Sequence, residues 1–532
     1  MDLKLKSKIF SKMTLKEKIG QLFSPAAFIH DTEENYLKIE SLIKNQHIGG
    51  LTFFHSRHSA AANFEKRQEK LTYENTLEKL RALIVRYQSL AKQPLLMSID
   101  AEFGLAMRIE NTPQYPYAIT LGALSIEHED LVFETGYRMG KDLKQTGIQL
   151  NFAPVADINT NPKNPVIGYR SFGPNKEKVS RFALAMYRGL EKAGIGACYK
   201  HFPGHGDTDT DSHLGLPVIH KTKKELISEE LYPFANGIKA GIDMIMVGHL
   251  AAPALSNGKT IPASISKEII THLLKEEMGF KGIVVSDALN MKSVSDLFPE
   301  PGQLEWEAFK AGNDLLCFSE NVEQGIEMIL NNGSEEKILE SFQKVTRLKK
   351  KLGINSDYIP KENGFDWSGH IAFNDKLPRH YITEISNPNP QTSLDLSDAK
   401  FAKVSLFQEN ENVFFSELDK VTSAQSIGLT SPTDPSWEKL KDFDKLLIAV
   451  FVPSAKPVNH FGMDIEMIKK LMICIENKNC QLYLFGSPLS MNEIGNFQKF
   501  SKITCAFQNF ESAQKAAALH FLGKIEAEGK LD

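Results

Sequence analysis

The chain of 532 residues is 42% hydrophobic and 24% charged, the balance of an ordinary globular protein with room for two or three full-sized domains. Its 62 basic and 66 acidic residues leave a net charge of −4, which offers neither the basic field of a nucleic-acid binder nor a polybasic membrane patch. No apolar run approaches the ~18 residues of a membrane span, so neither a nucleic-acid nor a membrane partner is expected.

The amino terminus, MDLKLKSKIFSKMTLKEKIGQLF, alternates lysine with apolar residues and has no h-region or small-residue cleavage site. It reads as mature sequence without a secretion signal, and a cytoplasmic location is expected. The cysteines (Cys198, Cys317, Cys474, Cys480, Cys505) are odd in number and mostly set in apolar runs, the pattern of buried free thiols in a reducing compartment. Thr14 and Glu17 have the spacing of a capping box that opens a short helix.

From there, short apolar segments recur, separated by amphipathic stretches long enough for one helix each. They are Gln21–Ser24, Gly50–Phe54, Leu95–Asp100, Leu150–Asp157, Ala197–His201, Met244–His249, Ile283–Asp287 and Asp314–Phe318. Strands that are apolar throughout belong to a parallel sheet covered on both faces. Eight β/α units predict a closed (β/α)₈ TIM barrel over residues 1–352. An open doubly wound sheet is the competing fold, but no GxGxxG follows any of these segments. The barrel also predicts that polar residues collect at strand ends. Asp100, Asp157, Lys200 with His201, His249 and Asp287 do so on five successive segments.

A helix is predicted over Ser334–Lys351, ending near Leu352 and Gly353, and a linker rich in Asn, Pro, Gly and Ser over 353–392. Residues 393–532 read as a second, smaller α/β domain. Lys445–Pro453, Gln481–Gly486 and Ile503–Phe507 are its buried strands, and Ser512–Leu522 is a closing helix.

The stretch Lys200–Pro217, KHFPGHGDTDTDSHLGLP, concentrates His201, His205, His213, Asp207, Asp209 and Asp211 among three glycines and two prolines. That composition predicts a loop, and a titratable loop is a place for chemistry. An EF-hand beginning at Asp207 fails at its sixth and twelfth positions, Ser212 and Val218, and neither HExxH nor CxxC occurs, so no metal and no cofactor is expected. In extended backbone Asp211 and His213 would face the same side, and such a pair can donate and then accept a proton. A surface pair of no consequence has the same spacing. Asp287, in GIVVSDALNM, is either a helix N-cap or a nucleophile at a barrel mouth. Arg170, in NPVIGYRSFG, is a solvated charge or a clamp for polar substrate groups, and Arg108 follows Asp100 just beyond a strand end.

Taken together, KHFPGHG followed by DSH, NPVIGYRSFG, the Asp-x-Glu after the third segment and VVSDALNM resemble glycoside hydrolase family 3, closest to its β-N-acetylglucosaminidase branch. The resemblance covers residues 10–350 and continues more weakly beyond them. It implies an exo-acting, retaining β-N-acetylhexosaminidase on a TIM barrel. Asp287 would be the nucleophile, and His213 the acid/base with Asp211 as its partner. Asp100, Arg108, Arg170, Lys200 and His201 would bind the terminal sugar. Where the family often has Gly-Gly after the Asp-x-Glu, this chain has Phe103-Gly104, which bears on subsite preference.

Three other readings stay open. An acid/base without fixed negative charge would let phosphate replace water, giving a β-N-acetylglucosaminide phosphorylase. A family 3 glycosidase of other sugar specificity and a carbohydrate-binding barrel without activity are the others. The substrate implied is a GlcNAc-containing oligosaccharide, from muropeptides or from chitin.

Overall fold

Ser24, Thr52 and Ser98 explain how a barrel of apolar strands accommodates hydroxyls in its interior. The computed structural model describes residues 13–57, 73–208, 215–354, 365–385, 401–409 and 411–531. In it these side chains form a run of buried hydrogen bonds. Ser24 Oγ lies 3.0 Å from Thr52 Oγ1, which lies 2.9 Å from Ser98 Oγ, which donates to the Leu51 carbonyl at 3.0 Å. Each of these groups, removed from water, is thereby matched.

The strands that carry them belong to a set of ten among the described residues. They are β1 (Phe23–Ser24), β2 (Ala26–His30), β3 (Gly50–Ser56), β4 (Leu96–Ile99), β5 (Leu150–Asn151), β6 (Gly196–Ala197), β7 (Tyr199–Phe202), β8 (Met244–Val247), β9 (Ile283–Ser286) and β10 (Leu316–Cys317). Pro25 divides β1 from β2 and Cys198 divides β6 from β7, so the ten strands occupy eight stations. Parallel pairing runs β1–β10, β2–β3–β4–β5–β6 and β7–β8–β9. A parallel bridge between Val285 and Leu315 closes the ring. This is the expected (β/α)₈ barrel, with helices such as Glu129–Thr146, Lys176–Ala193 and Glu335–Lys351 covering apolar strands.

Local sequence sets two of the helix starts. Thr14 and Glu17 complete the expected capping box of helix Leu15–Gly20. At the start of Glu335–Lys351, the Ser334 hydroxyl accepts from Lys337 N.

One expectation about the strands is corrected, and a second is decided between two readings. The first segment does not stop at Ser24: beyond Pro25 the chain extends again, so the end of that station is His30. Lys200 and His201 read both as the end of the segment Ala197–His201 and as the start of the loop Lys200–Pro217; the structure puts them in β7, in keeping with the strand, and the turn begins after Phe202. Their polar side chains mask a strand that is buried at every residue. Gly204 makes the turn. Its φ of +121° and the 2.7 Å approach that a Cβ would make to Glu230 Cβ both require glycine.

The chain divides into two compact units. One is made of residues 1–115, 132–158 and 179–367, and the other of 116–131, 159–178 and 368–532. Two excursions from between barrel strands therefore group with the carboxyl-terminal region, which no local sequence pattern announces. In the second unit, β11 (Thr383–Ile385), β12 (Phe401–Leu406), β13 (Gln425–Leu429), β14 (Lys445–Phe451), β15 (Asn479–Phe485) and β16 (Phe500–Cys505) form a sheet of order β11-β16-β15-β14-β12-β13. Among these described strands, only β11 is antiparallel to its neighbour. The stretch expected as a linker carries helices Ser368–Asn374 and Pro378–Tyr381 as well as β11. Gln508 ties the first excursion to this unit, its Oε1 accepting from Tyr117 N at 2.7 Å and Thr120 Oγ1 at 3.0 Å.

Candidate active site

The carboxyl ends of the barrel strands bring a set of charges together. Lys200, on β7 and only 2% exposed, reaches across to two carboxylates that follow β4. Its Nζ lies 2.8 Å from Asp100 Oδ1 and 2.6 Å from Glu102 Oε1. Arg108 Nη2 is 3.3 Å from Asp100 Oδ2, and its guanidinium stands 3.8 Å over the Phe54 ring. Burial pushes the Asp100 carboxyl up, but Lys200 and Arg108 outweigh it, so the group stays below its ordinary value and ionised. Gly104, at φ +95°, starts the 3-10 turn Leu105–Met107 that delivers Arg108, and a Cβ there would come within 2.8 Å of the Pro113 carbonyl.

His201, next on β7, is held by Asp157. Its Nδ1 is 2.7 Å from Asp157 Oδ2, while Asp157 Oδ1 accepts from His201 N at 3.1 Å and His205 N at 2.8 Å. The fully buried Asp157 remains below its ordinary pKa because these donors overcome the burial penalty. His205 is anchored in turn by Thr208 Oγ1, 2.8 Å from its Nδ1.

Asp287 follows β9 directly. Its backbone N–H joins Val247 O at 3.0 Å, and Ala288 N donates to its Oδ1 at 2.7 Å. The next helix, Lys292–Ser295, has Met291 as its N-cap residue, so Asp287 is not a helix cap. Burial raises its pKa, but His249, His201, the Ala288 N–H and Lys200 together lower it to about 2. His249 lies between Ser264 Oγ, 2.6 Å from Nδ1, and the Ala288 carbonyl, 2.9 Å from Nε2. Burial moves His249 downward in pKa. The site therefore presents an ionised carboxylate on a backbone fixed by the neighbouring strand, which suits attack on an electrophilic carbon.

Asp100, Arg108, Lys200, His201 and Asp287 are thus all carried by the barrel unit at or just beyond strand ends. Arg170 lies in the second unit, in the turn Gly168–Arg170, with its Nη1 3.2 Å from the Val166 carbonyl. Asp211 and His213 lie outside the described residues. Glu102, Asp157 and His249 are not singled out as site residues by sequence reasoning. Their signal is position alone, the last two at strand ends and the first in the Asp-x-Glu. Also unanticipated is a polar group at the ends of β2 and β3. His55 Nε2 is 2.6 Å from Glu110 Oε1, Thr76 Oγ1 donates to Glu110 Oε2 at 2.8 Å, and His30 Nε2 is 2.8 Å from Thr76 Oγ1.

A parallel barrel with a buried ammonium, paired carboxylates and an ionised aspartate at its strand ends is the apparatus of a glycoside hydrolase. Residues 14–348 match the model of the glycosyl hydrolase family 3 N-terminal domain, and the chain belongs to that family. It is 30% identical over 470 residues to beta-hexosaminidase A of Pseudoalteromonas piscicida, covering 82% of this chain and 76% of that one. It is 36% identical over 222 residues to a beta-hexosaminidase of Neisseria meningitidis serogroup B, a match that takes in 41% of this chain and 60% of that protein. The solved structure of a family 3 beta-N-acetylglucosaminidase from Paenibacillus sp. str. FPU-7 superposes with a TM-score of 0.75 at 25% identity, over 97% of this chain and 98% of that one. Among the described residues, no helix is long and apolar enough to cross a membrane.

Proposed function

We propose that this glycoside hydrolase is an exo-acting, retaining β-N-acetylglucosaminidase with Asp287 as its nucleophile. The observation that carries the reading is the Asp287 carboxylate, fixed at the end of β9 and held ionised down to about pH 2 by His249, His201, the Ala288 N–H and Lys200. The relatives described as hexosaminidases and as an acetylglucosaminidase support the choice of sugar.

In the first half-reaction the Asp287 oxygen bonds to the anomeric carbon as the glycosidic bond breaks. The departing oxygen takes a proton from His213, which Asp211 orients. In the second, His213 removes a proton from water, whose oxygen displaces Asp287 and restores the β configuration. Asp100, Lys200 and Arg108 bind hydroxyls of the terminal sugar, with His201 beside them. The domain assignment that goes with this reading is a catalytic barrel over 1–352 and an accessory α/β domain over 393–532, joined by 353–392, whose β11 pairs into the second sheet. The cysteines are unpaired and mostly buried, which supports a reducing, cytoplasmic setting and so a role in recycling muropeptides.

Release of p-nitrophenol from its β-GlcNAc glycoside, with and without phosphate, tests the proposal on wild type and Asp287→Ala. Wild-type turnover that is independent of phosphate and lost in the variant supports it. Turnover only on β-glucosides, or release of sugar 1-phosphate, overturns it.

A further inference from the structure

Away from the barrel mouth, the second unit gathers two imidazoles and a carboxylate from distant parts of the chain. His128 ends the turn Ile126–His128, His380 lies in helix Pro378–Tyr381, and Glu528 lies near the carboxyl terminus. One ligand atom from each falls within 4.8 Å of the others. We propose that His128, His380 and Glu528 form a zinc site that fastens the terminal segment onto this unit. Because its ligands come from three separate stretches, no sequence motif marks it.

The donor set suits Zn²⁺, which takes imidazole nitrogen and carboxylate oxygen in a tetrahedron and leaves room for water in a fourth position. With ligands about 2.0–2.2 Å from the metal, a tetrahedron sets them about 3.3 Å apart. His380 Nδ1 is 2.6 Å and His128 Nε2 is 3.6 Å from Glu528 Oε2, so the observed separations straddle that spacing. The two rings stand 4.8 Å apart at 56°, oriented by their own short elements. The terminal segment is already placed by backbone bonds, from Gly529 N to Ile382 O at 2.9 Å and from Lys530 N to Ala123 O at 2.8 Å. A metal would convert this contact into a cross-link closing long stretches of chain, where a staple stabilises most.

Arg379 sets a condition on binding. Its Nε donates to His380 Nε2 at 2.9 Å, which fixes the ring proton on Nδ1, facing Glu528. Zinc needs the Nδ1 lone pair. The proton must move to Nε2, and the exposed Arg379 side chain must swing away. Arg379 therefore competes with the metal.

The full-length protein, stripped with chelator, is titrated with Zn²⁺ by calorimetry and with Co²⁺ by visible absorption, and its thermal midpoint is followed in parallel. Wild type should take up one equivalent that Glu528→Gln and His128→Ala lose or bind roughly tenfold or more weakly. The tetrahedral Co²⁺ band and the zinc-dependent rise in midpoint should disappear in the same variants. Arg379→Ala should bind roughly fivefold more tightly, the scale of one competing hydrogen bond. Glu528 is exposed, so its variant remains informative if a histidine variant does not fold. Glycosidase turnover of metal-free Glu528→Gln should equal that of metal-free wild type. Absence of uptake by wild type, or the same stoichiometry and affinity in Glu528→Gln and His128→Ala, would overturn the assignment.

Discussion

The His201 ring meets the Asp157 carboxylate through Nδ1 at 2.7 Å, and the other Asp157 oxygen accepts the His201 backbone N–H at 3.1 Å. One buried carboxylate thus fixes both the ring and the backbone of a residue whose charge acts on Asp287. Asp157→Asn offers an amide where two acceptors are needed. The expected result is a fall in kcat of about 100-fold, the scale of a small misplacement of catalytic groups, with a smaller change in KM. Steady-state kinetics with a thermal midpoint as folding control would check it, and an unchanged kcat would contradict it.

His249 and Asp287 predict a pH effect. The carboxyl is lowered to about 2 although burial alone would raise it, and His249 is the largest opposing influence. A depressed carboxylate contributes stability above its unfolded pKa of about 3.9 and loses it as pH falls through about 2. His249→Gln removes the imidazole, so the Asp287 pKa rises. The acid limb of kcat/KM should move to higher pH, and a limb at the wild-type position would contradict the account.

Lys200 predicts a stability effect. Its ammonium is the shared partner of Asp100 and Glu102 in a place nearly closed to water. Lys200→Met leaves both carboxylates without it, and removing one partner of a buried ion pair costs about 3–5 kcal/mol. Denaturant unfolding would measure the loss, and Asp100 should titrate at higher pH in the variant.

At the opposite end of the barrel, Lys349 is buried with its Nζ donating to Gln21 Oε1 and the Pro94 carbonyl, each at 2.8 Å. Burial lowers its pKa to about 7, while the unfolded chain holds the proton to about 10.4. Between those limits the unfolded state binds more protons, so this residue makes stability rise with pH, by up to about 1.4 kcal/mol per pH unit. Lys349→Met should flatten that slope. Unfolding curves for both proteins, measured at several pH values inside that window, would reveal it, and equal slopes would contradict the assignment.

The barrel was legible because its strands are short, apolar and separated by helical lengths, and because Asp100, His249 and Asp287 fall just after those strands stop, with Asp157 beyond the Val155 bridge that follows β5. What escapes a reading of the sequence is set by contacts between distant residues. Pro25 hides the continuation of the first station to His30. The polar side chains of Lys200 and His201 look as much like loop as strand because their partners, Asp100 and Asp157, lie far away in sequence. Phe401–Leu406, an interior strand of the second sheet, does not stand out, since its Lys403 breaks the apolar run while remaining buried. The placement of 116–131 and 159–178 with the second unit is likewise a matter of tertiary packing.

The most direct test of the central claim is azide rescue. Asp287→Gly should lose roughly 10³-fold or more of its turnover on p-nitrophenyl β-GlcNAc. Azide, attacking the anomeric carbon from the vacated face, should then expel p-nitrophenolate and yield the α-configured GlcNAc azide. A variant that keeps its activity, or an azide product of β configuration, would contradict Asp287 as the nucleophile.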